Sequence, residues 1–167
     1  MKIQSVRAIP VKLPLPHVME WATGRMTAQS HVLVRIMTDE GIEGIAEAIP
    51  RENIYGETQA GMVHVINDHL APLIVGLDPF DTEKIHEKMG FIKSNLAAKG
   101  GIDMALWDII GKACGQPIHK LLGGYRESIA PGRILWLSTD EVLADHDYCS
   151  IFATPFHAPL LQRSAVG

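Results

Sequence analysis

The chain has 167 residues, 47% apolar and 20% charged, with a formal net charge of -4. That balance suits a globular protein able to bury a core without staples. An isoelectric point near 6.0, with lysines and arginines scattered singly, excludes a nucleic-acid surface.

The opening "MKIQSVRAIPVKLPLP" alternates charged and apolar residues and offers no signal peptide. Ile3, Val6, Ile9, Val11 and Leu13 among polar residues predict a first strand, with prolines that suit a sheet edge. Next comes "PHVMEWATGRMTAQS", too long for a hairpin turn and expected to be a functional or mobile loop. In "HVLVRIMTDEGIEGIAEA", Val32, Val34 and Ile36 alternate with Leu33, Arg35 and Met37. Asp39–Gly41 supplies a tight turn, and "IEGIAEA" returns as a third strand. A three-stranded antiparallel meander is the simplest arrangement.

After Ala48 the pattern turns helical. "IPRENIYGE" connects to a helix carrying Met62, Val63, Ile66 and Leu70, with Thr58 as N-cap and a stop or kink near Pro72. "DPFDTEKIHEKM" starts a second helix, capped by Asp81 or Thr82, with Glu83 in its first turn. "KGGIDMALWDIIGKACGQPIHKLLGG" (residues 99–124) is the most patterned stretch. Ile102, Ala105, Leu106, Ile109, Ile110 and Ala113 form one apolar stripe, and Asp108 and Lys112 stand in the favourable i,i+4 order. Gly111 predicts close approach of another backbone, and Gly115 a left-handed C-cap before Pro117. From Ile129, "RILWLS" and "STDEVLAD" read as a strand feeding a helix, a βα step. Residues 146–167 lose all rhythm, as a frameshifted or disordered tail would.

Few residues invite chemistry. Asp103 and Asp108 are five apart and are expected to diverge on a helix: Asp108 solvated or ion-paired, Asp103 a structural anchor between helix and barrel. His64 and His69 likewise diverge, no HxH or HExxH occurs, and the eight histidines read as incidental surface residues. Cys114 and Cys149 form no CxxC pair, so reduced thiols in a cytoplasmic protein are expected. No apolar run reaches membrane-spanning length.

The order of these features, with "GIEGIAEA", "YGET" and the helix ending in "LLGG", resembles the start of the enolase superfamily, in its mandelate racemase and muconate lactonizing enzyme branch. The resemblance covers residues 1 to about 145. It implies an α+β fold: a meander followed by a helical bundle, the capping domain, over residues 1–117. Residues 118–145 would begin an incomplete TIM barrel as its first βα unit, ahead of the tail at 146–167. The family's chemistry is proton abstraction next to a carboxylate, with magnesium stabilising the developing charge. Its base usually stands in a Lys-x-Lys pair on the second barrel strand, and its metal ligands are acidic residues on later strands. This chain has no Lys-x-Lys, and no position receives the base or a metal ligand, so no catalytic and no metal residue is assigned.

The resemblance places substrate selection in two capping-domain loops that close over the barrel mouth, at 17–26 and 50–57. On chemistry, Trp21 and Met26 are candidate apolar walls, Arg25 or Arg51 a partner for a carboxylate or polar group, and Ile54 and Tyr55 the rest of the lid. The expected function is that of an N-terminal fragment of a magnesium-dependent racemase, epimerase, cycloisomerase or acid-sugar dehydratase, inactive by itself and binding no magnesium itself. Its partner is a carboxylate small molecule, with neither nucleic acid nor membrane. The alternative is a non-catalytic α+β interaction or oligomerisation module, self-associating through the face a barrel would cover.

Overall fold

The computed structural model describes residues 1–21, 24–54, 56–126 and 128. Residues 1–126 belong to one compact unit, Met1–Glu127. The expected barrel strand, its helix and the tail lie outside the described residues.

Three strands form one antiparallel sheet in the order β1 (Ile3–Trp21), β2 (Gly24–Thr38), β3 (Glu43–Ala48). The period-2 pattern decides its two faces. Val32, Val34 and Ile36 on β2 are inaccessible to solvent, and Ala46 and Ala48 on β3 join them. Arg35 and Glu43 hold the opposite face with a 2.7 Å bond from Nε. The β2–β3 turn is closed by Thr38, whose hydroxyl donates to the Ile42 carbonyl and accepts from its N–H, and Gly41 takes φ +79°.

The expected loop between the first two strands is not a loop. β1 and β2 keep pairing beyond Pro14–Ala28, through a register shift, to Met19–Met26, Glu20–Arg25 and Trp21–Gly24. The prolines stand on edge strand β1, where a missing donor costs the sheet nothing, and the irregularity between Pro14 and Met19 absorbs the break. Residues 17–26 thus form the outer part of a long two-stranded ribbon.

Thr58 caps α1 (Gln59–His64), accepting from the Gly61 N–H at 3.0 Å. A π-helical turn follows at Val65–Leu70 and leads into α2 (Ala71–Ile74). Pro72 therefore neither stops the helix nor ends it early. The wider turn ahead of it relieves the clash a proline ring makes with the preceding α-helical turn. Met62, Ile66, Leu70 and Ile74 all face the core. Asn67, on the π turn, acts as a short fourth strand: its amide accepts from the Ala8 N–H at 2.8 Å and donates to the Ala8 carbonyl at 3.3 Å.

α3 (Thr82–Met89) starts at Asp81, which makes no side-chain cap bond, and buries Ile85 and Met89. α4 (Leu96–Cys114) lies across the sheet with Ala98, Gly101, Ile102, Ala105, Leu106, Ile109 and Ile110 buried. Ala113, the last residue of the expected stripe, is exposed. Gly115 ends α4 at φ +60°, and short α5 (Ile118–Leu121) follows.

Two glycines set the distance between α4 and the sheet. A Cβ on Gly44 would stand 2.1 Å from the Ala105 carbonyl oxygen, and one on Gly101 would stand 3.0 Å from Val34 Cγ2 and Ala48 Cβ. Gly111 faces the Gln116 carbonyl and Ile118, the close approach its place in the helix predicted.

Asp108 turns out to serve the sheet edge. It accepts from the Ile45 N–H of β3 at 2.9 Å and from Lys112 Nζ at 2.6 Å, while Lys112 also donates to the Glu43 carbonyl. Asp103 contacts His86 of α3 at 2.7 Å, so among the described residues its anchor is helix to helix rather than helix to barrel.

Candidate functional site

The chain leaving β3 doubles back at once. Arg51 and Glu57 form an isolated antiparallel bridge, and the Ile54 and Gly56 N–H groups both donate to the Arg51 carbonyl. Gly56 takes φ +73°, which closes the loop. This small closed segment lies beside the β1–β2 ribbon. A cleft of about 470 Å³ runs between them, lined by Arg25, Met26, Gln29 and Ser30 on one side and by Pro50–Asn53 on the other.

A second, more apolar groove of about 720 Å³ opens on the α4 side of the same loop. Ile49, Ile54, Leu96 and Met104 supply its apolar surface, with Glu47 and Asn95 at its margins. Ile54 is 65% exposed and Leu96 77%, both high for aliphatic side chains. Ser94 and Asn95 both adopt left-handed backbone, at φ 57° and 56°, directly before α4. Successive non-glycine residues in that region are uncommon and mark a backbone held by its surroundings.

Glu57 joins loop to helix. It is only 8% exposed, and its two carboxylate oxygens accept from the Ala97 and Ala98 N–H groups at 2.9 and 3.1 Å. Those are orphan donors at the start of α4, where Asn95 makes no side-chain cap bond. A carboxylate 40 residues upstream thus caps the longest helix and fixes one end of the 50–57 loop.

His31 lies close by. Its Nδ1 contacts the Glu47 carboxylate of β3, and its Nε2 is buried without a partner among the described residues. Burial, and then the nearby Arg51 guanidinium, push the imidazole below its usual range, while contact with Glu47 works in the opposite direction. The Gln59 amide donates to the carbonyls of both Val11 and His31, tying the start of α1 to that strand pair. His31 is therefore not the incidental surface residue expected of it.

The structure brings Arg25, Met26 and Arg51 to one cleft and sets Ile54 in the adjoining groove. Trp21 ends β1 opposite Gly24. Its side chain, and Tyr55 altogether, lie outside the described residues. Sequence reasoning passed over Glu57, Gln59 and the His31–Glu47 pair. The only available signal for the first two was their place around a predicted N-cap, in "GETQ". Among the described residues, no three His, Cys, Asp or Glu side chains are placed to hold a metal ion. None of their helices is long and apolar enough to cross a membrane.

Residues 3–123 match the N-terminal domain of the mandelate racemase / muconate lactonizing enzyme family. The chain belongs to that branch of the enolase superfamily. A muconate lactonizing enzyme of Mycobacterium smegmatis, solved with muconolactone, superposes with a TM-score of 0.72 at 44% identity, over 75% of this chain and 34% of that one. A dipeptide epimerase of Enterococcus faecalis, solved with Mg and the dipeptide L-Leu-L-Tyr, gives 0.69 at 39% identity, over 75% and 35%. The N-succinyl-L-Arg/Lys racemase of Bacillus cereus is 32% identical over 147 residues, 87% of this chain and 40% of the racemase. The chain thus spans about 40% of the length of the curated relatives it matches, and about a third of the solved ones. The three-stranded sheet followed by helices is the capping domain of this superfamily.

Proposed function

We propose that this chain supplies the capping domain of an enzyme that removes a proton next to a carboxylate: a racemase, epimerase, cycloisomerase or acid-sugar dehydratase. In that enzyme the ribbon tip at 17–26 and the loop at 50–57 select the substrate. Arg25 and Arg51 are the cations available to a carboxylate or polar group, Met26 and Ile54 the apolar contacts, with Trp21 and Tyr55 completing the lid. The observation that carries the proposal is the convergence of these two segments on one cleft, within a domain whose family is settled. Glu57 adds to it by holding one end of the second segment on α4, since a selecting surface needs rigid support.

The 167 residues by themselves do not turn over a substrate. The sequence contains no Lys-x-Lys pair, and the described residues gather no metal-binding group. Magnesium, which the solved dipeptide epimerase contains, fits no described cluster here, and no chemical step is assigned to it. The substrate class is a small carboxylate, the enzyme is cytoplasmic, and the segment boundaries lie near residues 117 and 145. The exposed apolar groove around Ile54, Leu96 and Met104 supports a docking face. A second proposal, pairing of two copies through that groove, rests on the same exposure.

The test is direct. The purified chain with added magnesium is assayed for racemisation, epimerisation and cycloisomerisation over N-succinyl amino acids, dipeptides and muconate. No turnover is expected, and turnover by the chain alone overturns the proposal of inactivity. Light scattering during the same preparation decides whether copies pair.

A further inference from the structure

The π-helical turn brings together two histidines that an α-helix would separate. Residues five apart on an α-helix point about 140° away from each other. In the wider turn at Val65–Leu70, whose hydrogen bonds span five residues, position i stacks over i+5. The outcome is specific. His64 Nε2 and His69 Nε2 lie 3.3 Å apart, with ring centroids at 4.9 Å and planes at 88°. On the far side of the first ring, Asp68 Oδ2 lies 2.6 Å from His64 Nδ1. The group faces solvent: the His64 and Asp68 side chains are 62% and 61% exposed.

We propose that this pair is a binding site for a borderline divalent cation such as Zn²⁺, Ni²⁺ or Cu²⁺, held by the two ε nitrogens and completed by water. Two nitrogens bound to one tetrahedral zinc at about 2.0–2.1 Å are themselves separated by about 3.3–3.4 Å. The imidazoles already stand at that spacing. Asp68 accepts the Nδ1 proton of His64, which fixes the tautomer whose Nε2 lone pair faces its neighbour. That is the arrangement by which a carboxylate orients a metal-binding histidine. In the metal-free pair, His69 donates its Nε2 proton to His64. Binding requires His69 to carry its proton on Nδ1 instead, so that both lone pairs meet the ion. Nitrogen donors favour zinc, nickel and copper over magnesium, which prefers oxygen. The site is therefore chemically distinct from a magnesium centre and needs nothing from the function proposed above.

The experiment titrates Zn²⁺ into the full chain by calorimetry, in excess Mg²⁺, while histidine ring resonances are followed by NMR. The expected result is a binding step that moves the ring signals of His64 and His69 together, disappears in His64→Ala and His69→Ala, and is about tenfold weaker in Asp68→Asn. Zinc should also raise the melting temperature of the wild type and leave that of the alanine variants unchanged. An isotherm unaltered in the His64→Ala/His69→Ala double variant overturns the proposal. So do ring signals of the unsubstituted protein that stay still during titration, a readout that needs no variant to fold.

Discussion

Replacing Glu57 by alanine should unfasten α4 from the 50–57 loop. The carboxylate accepts from the Ala97 and Ala98 N–H groups at 2.9 and 3.1 Å, and no side chain at the N-cap itself shares the work. The Ala98 side of the helix start is buried, so water cannot fully replace the lost acceptor there. Loss of an ordinary N-cap costs about 1 kcal/mol and up to about 2. Bonds to a charged acceptor are worth about 1.5–3 kcal/mol. Together these place Glu57→Ala at about 2–3 kcal/mol. Glu57→Gln keeps a carbonyl acceptor but loses the second oxygen and the charge facing the helix dipole, for about 1–2 kcal/mol. For a unit of this size, 1 kcal/mol moves the melting temperature by about 4 °C, so the alanine variant should melt about 8–12 °C lower. Urea unfolding followed by circular dichroism gives the free energies. Amide exchange at Ala97 and Ala98 should rise in the alanine variant before exchange elsewhere in α4. A Glu57→Ala protein within about 0.5 kcal/mol of the wild type, with those amides still protected, would refute the capping role.

Three further expectations follow from the packing. Gly44→Ala forces a methyl to within 2.1 Å of the Ala105 carbonyl, where backbone must move, so a loss of about 3 kcal/mol or more is expected. Gly101→Ala, which meets only side-chain carbons at 3.0 Å, should cost clearly less, and urea midpoints in the reverse order would contradict the packing described. Asn67→Leu strips both bonds from Ala8 and should cost about 2 kcal/mol, with faster amide exchange at Ala8 as the local readout. His31 is held below its usual range in the fold, so its contribution is complete above about pH 6.5 and is lost as pH falls. Urea midpoints of the wild type should drop more between pH 7.5 and 5.5 than those of His31→Gln, and parallel profiles would remove His31 from the pH response.

The two faces of β2 were legible because alternation over Val32–Ile36 is a local signal. The stripe of α4 was legible for the same reason, up to Ala113 at its solvent end. The ribbon at 17–26 was not, because its pairing is set by a register shift between distant residues rather than by composition. Loop chemistry and turn-like length both misled there. The π turn was equally hidden. Its residues carry an ordinary helical pattern, and only tertiary demands, Asn67 reaching Ala8 and Pro72 following, select the wider turn. That one change made the two histidines meet instead of diverge. Glu57 was invisible as a helix cap because its partners are 40 residues downstream. Arg25, Met26 and Arg51 were chosen for chemistry and topology, and their common cleft became visible only with the ribbon's true geometry.

A chimaera decides most directly whether the chain is a substrate-selecting cap. Residues 1–123 would replace the corresponding domain of the muconate lactonizing enzyme of Mycobacterium smegmatis, whose matched region is 44% identical. The quantity measured is kcat/KM for cycloisomerisation with magnesium, in the chimaera and in its Arg25→Ala and Arg51→Ala variants. The expected result is magnesium-dependent turnover, with substrate preference moved by the new cap and KM raised by at least one arginine substitution. A folded chimaera that does not turn over, or whose KM ignores both substitutions, would contradict it.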